Sequence, residues 1–124
     1  MIIETYHIKG KGRGKKMGFP TINLRIPYGF VLDDGIYASI IDIKKKKYKG
    51  ALHYGPIPTF NDNSKNLEVY IIDAQPYEIS EQIQGLIQVE IKDKIRDIST
   101  FTSPEFLAHQ IADDVNKTNM ILDK

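Results

Sequence analysis

Three groups of residues could do chemistry. The first is Gly10-Lys11-Gly12-Arg13-Gly14-Lys15-Lys16-Met17-Gly18, four glycines in nine residues with basic side chains between them. Glycine lets backbone N–H groups come close to phosphate oxygens, and lysine or arginine adds charge. The run matches neither the GxxxxGK[ST] phosphate loop nor GxGxxG, because Lys15 and Met17 stand where the third glycine would be. It fits a solvated basic loop equally well. The second group is Thr21 and Asn23, two apart, so in extended chain both side chains face the same way. A hydroxyl and an amide oxygen are hard donors suited to magnesium, and both also cap turns. The third is Glu68, the one acid within the apolar run from Leu67 to Ile72. Beside a cleft it would serve as a general base; on an alternating strand it would face water.

These residues need a scaffold. Residues 1–8 are rich in β-formers and read as a first strand. Proline at both ends of Pro20-Thr21-Ile22-Asn23-Leu24-Arg25-Ile26-Pro27 suggests an edge or irregular extended segment. After the turn signal Asp33-Asp34-Gly35, residues 36–43 are β-branched and aromatic. Lys44, Lys45, Lys46 and Lys47 form a charged tip, and residues 48–54 return as the second arm of a hairpin. Residues 55–66, with two prolines and a polar stretch, read as a loop. Residues 67–73 and 86–95 are two further strands. The period then changes: Ser103 is a good N-cap, Pro104 suits the first helical position and Glu105 the first turn. Leu107, Ile111, Val115 and Leu122 share a face of a helix expected over about 104–120. Short strands followed by one helix suggest an antiparallel barrel with a helical cover.

Composition narrows the choices. The chain has 124 residues, 41% of them hydrophobic and 27% charged, which suits one globular domain over 1–124. No apolar run approaches the roughly 20 residues of a membrane helix. The N-terminus lacks a basic segment followed by an apolar one, so no secretory signal is expected and the cytoplasm is the expected setting. Having no cysteine excludes disulfides, thiolate nucleophiles and cysteine-held metals. The net charge of +1 gives no whole-chain field for nucleic acid. His7, His53 and His109 are too far apart for metal spacing and read as structural or exposed.

In order along the chain, these segments resemble the riboflavin kinase family. Its signature is a glycine- and arginine-containing loop running into Gly-Phe-Pro-Thr-Ala-Asn-Leu. Here that stretch is Gly18-Phe19-Pro20-Thr21-Ile22-Asn23-Leu24, with Ile22 in place of alanine. Asp34-Gly35-Ile36-Tyr37-Ala38, Tyr48-Lys49-Gly50, Gly55, Pro58-Thr59-Phe60 and Leu67-Glu68-Val69-Tyr70 continue it. Ile95-Arg96-Asp97, Phe101, Gln110-Ile111 and Asp114 complete it. Ile57, Gln84 and Ile98 depart from the family pattern.

The resemblance implies a six-stranded antiparallel Greek-key barrel with a C-terminal α-helix. It implies transfer of the ATP γ-phosphate to the 5′-hydroxyl of riboflavin, giving FMN and ADP. Gly10, Gly12, Arg13, Gly14, Lys15, Lys16 and Thr21 would bind ATP. Thr21 and Asn23 would sit at Mg2+, with Glu68 as the base. Arg96, Ser99 and Phe101 would contact the flavin. A monomer acting on small molecules, with no nucleic-acid or membrane partner and no FMN adenylyltransferase activity, is the matching expectation. The competing readings are an inactive flavin- or nucleotide-binding module of this fold, and a basic RNA-binding barrel using the lysines from 44 to 49.

Overall fold

The computed structural model describes residues 1–8, 21–57, 62–72, 74, 85–100 and 103–123. Seven strands and one helix lie in this order: β1 (Ile2–Thr5), β2 (His7–Ile8), β3 (Ile22–Leu24), β4 (Gly35–Ile43), β5 (Lys46–Ile57), β6 (Asp62–Ile71), β7 (Ile87–Arg96) and α1 (Pro104–Leu122). All pairings are antiparallel, in one sheet ordered β1-β7-β4-β5-β6-β3-β2.

The expected six strands are therefore seven, in a half-barrel. The difference arises at Tyr6. Residues 1–8 are not one strand: β1 pairs with β7 and β2 pairs with β3 at the opposite border of the sheet. The chain crosses between them at Tyr6, whose carbonyl accepts from Arg25 N at 2.9 Å, while the Thr5 hydroxyl donates to the Arg25 carbonyl. The sheet thus curls until its two border strands are consecutive pieces of one segment.

Inside the curl lies the core. Ile22 and Leu24, Tyr37, Ile41 and Ile43, Leu52 and Tyr54, Leu67, Val69 and Ile71, and Ile87, Val89 and Ile91 all point inward. Their alternation with polar neighbours is the period-2 signal of half-buried strands. Gly50 keeps that face open: a Cβ there would meet Val69 Cγ1 at 2.4 Å and Ile41 Cδ1 at 2.7 Å. Removing apolar surface from water supplies the driving force.

β4 and β5 form a hairpin in register from Gly35↔Tyr54 to Ile43↔Lys46, closed by Lys44 and Lys45 at φ 50° and 70°. Two successive residues in the left-handed region make the mirror-image turn that matches strand twist. The region expected as a loop over 55–66 is mostly strand. Pro56, which cannot donate to a ladder, falls between Gly55 and Ile57, where the β5–β6 register shifts.

α1 covers the other face of the sheet, over β4, β5 and β7. The Ser103 hydroxyl accepts from Phe106 N at 3.3 Å, the cap expected from the sequence. Among its described residues the most buried are polar, Asp114 and Thr118, whereas Leu107, Ile111, Val115 and Leu122 are half-buried. The helix is not long and apolar enough to cross a membrane.

Candidate functional site

Ile22 and Leu24 are each 2% exposed and turn into the core. Alternation then sends Thr21 and Asn23 to the helix side of the sheet. On β6 the same logic applies to Glu68, which is flanked by buried Leu67 and Val69. The β3–β6 register sets Asn23 directly opposite Glu68. Thr21 Oγ1 donates to Glu68 Oε2 at 3.1 Å. Two residues from one strand region and an acid 47 positions later therefore meet at one point.

The row through Glu68 continues across the sheet. His53 on β5 is opposite Glu68, Ile36 on β4 is opposite His53, and Arg96 on β7 is opposite Ile36. His53 is half-buried, and its Nε2 lies 3.0 Å from the Gly55 carbonyl oxygen. With Nε2 protonated and donating to that carbonyl, Nδ1 is the acceptor nitrogen of the ring.

Arg96 is held from the helix. Its Nε donates to Asp114 Oδ1 and its Nη2 to Asp114 Oδ2, both at 2.8 Å, and Nη1 donates to the Asp97 carbonyl at 3.0 Å. Gln110 Nε2 adds a bond to Asp114 Oδ1 at 3.1 Å. Beside Arg96, Lys94 Nζ stands 2.6 Å from Asp97 Oδ1. That hydrogen bond holds the Asp97 carboxyl below its usual range and the Lys94 ammonium above its own. Burial raises the Tyr37 phenol, which donates to the Asp33 carbonyl at 2.6 Å.

Of the residues marked out by the sequence, Thr21, Asn23 and Glu68 come together, and Arg96 stands on the same face three strands away. Ser99 is exposed in the irregular segment after β7. Gly10, Gly12, Arg13, Gly14, Lys15, Lys16 and Phe101 lie outside the described residues. Sequence reasoning gave His53 no role beside Glu68, and gave Gln110 and Asp114 none beside Arg96. The four-residue spacing of Gln110 and Asp114 was the available signal, since it puts both on one helical face.

Chemically, the Thr21, Asn23 and Glu68 cluster offers a hydroxyl, an amide and a carboxylate. Hard oxygen donors of this kind fit magnesium, which keeps several waters and takes its remaining ligands from substrate phosphates. No cluster of three or more His, Asp or Glu side chains among the described residues could cage a metal by itself.

Comparison with known proteins identifies the family. The riboflavin kinase model (Flavokinase) matches residues 1–122. A bifunctional riboflavin kinase/FMN adenylyltransferase of Buchnera aphidicola is 36% identical over 112 residues, covering 87% of this chain and 34% of the relative. An RNA-binding riboflavin kinase of Bacillus subtilis is 32% identical over 117 residues, covering 93% of this chain and 48% of the relative. A crystal structure described as a macrolide-efflux protein from Streptococcus pneumoniae superposes with a TM-score of 0.79 at 27% identity, covering 95% of this chain and 38% of that one. The chain thus spans between a third and a half of the curated relatives it matches. With a family match over nearly its whole length, this chain belongs to the riboflavin kinase family.

Proposed function

We propose that this chain transfers the γ-phosphoryl group of ATP to the 5′-hydroxyl of riboflavin, yielding FMN and ADP. The observation that carries this reading is the 3.1 Å bond from Thr21 Oγ1 to Glu68 Oε2, with Asn23 directly opposite Glu68. Glu68 takes the proton of the attacking hydroxyl as the new O–P bond forms and the bond to ADP breaks. A primary alcohol is a weak nucleophile, so a carboxylate within hydrogen-bond reach speeds attack. Thr21 holds Glu68 by its hydroxyl proton and keeps its oxygen lone pairs for a cation.

Thr21 and Asn23 would hold Mg2+, which neutralises charge on the nucleotide phosphates when bound. Phosphoryl transfer depends more on positioning and charge neutralisation than on covalent chemistry, and a rigid strand pair is a good platform for it. The glycine- and lysine-rich run from Gly10 to Lys16 would wrap the phosphates, and Arg96, Ser99 and Phe101 would meet the flavin. Both roles rest on the resemblance of these segments to the family's motifs.

Incubating the protein with riboflavin and Mg-ATP tests the proposal, with FMN separated and counted by its fluorescence. FMN forming in proportion to enzyme is the expected result. Riboflavin binding without turnover by any nucleotide would select the inactive flavin-binding alternative.

A further inference from the structure

Asp114 is 3% exposed, the one buried carboxylate among the described residues. Both of its oxygens are met, by the parallel fork from Arg96 at 2.8 Å and 2.8 Å and by Gln110 at 3.1 Å. A buried ion pair is a weak source of stability, because desolvation cancels much of the attraction. What a two-point fork does supply is orientation, since it fixes the plane of a guanidinium. Nη1, bonded to the Asp97 carbonyl, holds the same plane from the strand side.

The position of this pair matters. Arg96 and Glu68 stand on one row of the sheet, with Ile36 and His53 between them. Followed along the curled sheet, three inter-strand steps of about 4.8 Å each lead from one to the other. A second ion pair, Lys49 with Asp123 at 2.5 Å, ties down the other end of α1. The helix therefore runs from above Lys49 towards Arg96, and its residues ahead of Asp114 continue past that row. They carry half-buried Leu107 and Ile111 and the exposed Phe106.

Charge discriminates between ligands here. A lone guanidinium on this row would be a receptor for phosphate. Paired with Asp114 its charge is offset and its plane is fixed, which suits an uncharged planar ring. We infer that Asp114 is a positioning residue for the acceptor substrate: through its fork it sets the guanidinium of Arg96 as a fixed platform for the isoalloxazine ring and keeps that end of the site from capturing phosphate. This inference rests on the riboflavin kinase reading.

The test uses the full chain with Asp114→Asn, Asp114→Glu and the exchanged pair Arg96→Asp with Asp114→Arg. Steady-state kinetics are read alongside riboflavin fluorescence quenching and thermal midpoints. In Asp114→Asn the riboflavin KM and quenching constant should rise about tenfold, the loss expected for one charge-assisted contact, with kcat and the ATP KM changed by less than about twofold. Asp114→Glu, which keeps the charge, should recover part of the loss. The exchanged pair should regain the thermal midpoint but not riboflavin affinity, because its guanidinium then comes from the helix. An unchanged riboflavin KM in folded Asp114→Asn, or full recovery in the exchanged pair, overturns the inference and leaves the kinase reading standing. Wild-type protein that neither quenches nor phosphorylates riboflavin overturns both.

Discussion

Asn23 and Glu68 are direct cross-strand partners on β3 and β6, although they stand 45 positions apart in sequence. Neighbouring side chains of such a pair have Cβ atoms about 5 Å apart, so an amide and a carboxylate share one patch of surface by construction. Thr21, one residue before β3, reaches the same carboxylate. The chemistry proposed for this chain depends on that convergence.

Glu68→Gln keeps the shape of the side chain and removes its basicity. The rate of FMN formation should fall by about 10²–10⁴, the usual contribution of a positioned general base. The circular dichroism spectrum and thermal midpoint should stay close to wild type. A variant that keeps its full rate excludes Glu68 as the base.

Thr21→Val removes the donor to Glu68 and a candidate cation ligand together, whereas Thr21→Ser keeps the hydroxyl. Valine should raise the KM for Mg-ATP by about tenfold or more, in line with losing a hydrogen bond to a charged group. Serine should stay within a few-fold of wild type. Titrating Mg2+ at fixed ATP separates a metal effect from a nucleotide effect.

Gly50→Ala forces a Cβ into Val69 and Ile41 on the core face. Overpacking of this kind costs about 1–3 kcal/mol. The midpoint of urea unfolding should fall accordingly, with the slope unchanged. Gly29 has φ +75° but nothing within 4 Å of its would-be Cβ, so alanine there tests backbone strain without crowding.

The Lys94–Asp97 pair makes a pH prediction. Its hydrogen bond depresses the Asp97 carboxyl below 3.8 and raises the Lys94 ammonium above 10.5. A carboxylate depressed in the folded state stabilises above its ordinary pKa and loses that contribution as pH falls through the lowered value. The raised ammonium contributes below its ordinary pKa and fades as pH rises through the higher one. Both groups are exposed, so the stability effect is small and the direct readout is better. A ¹³C titration of the Asp97 carboxyl should give a midpoint below that of an ordinary aspartate, and Lys94→Met should return it to the ordinary range.

Much of this architecture is legible before folding. β-branched and aromatic content marks β4, alternation marks β6 and β7, and the Ser103-Pro104-Glu105 sequence marks the start of α1, because these signals are local. Where the reading departs from the structure, tertiary pairing has overruled local preference. Asn63, Ser64, Lys65 and Asn66 look like a loop, yet they run as strand within β6 opposite the end of β5. Nothing in residues 1–8 announces the break at Tyr6, since both halves are good strand formers and only their partners differ. On the helix, a search for apolar periodicity finds Leu107 and Ile111 and passes over Asp114 and Thr118, the residues most deeply covered. Within the site, Thr21, Asn23 and Glu68 stand out by type. Their meeting depends on the β3–β6 register, which sequence spacing does not encode.

The crossing at Tyr6 bears on self-association. Open sheets carry a row of unsatisfied amides and carbonyls along each margin, and neighbouring molecules can copy themselves onto it. Here β1 and β2, at the two margins, are short and joined through a single residue, so little template is offered on either side. Peeling that one segment away would bare β7 and β3 together, turning a chain with guarded margins into one with two sticky flanks at once.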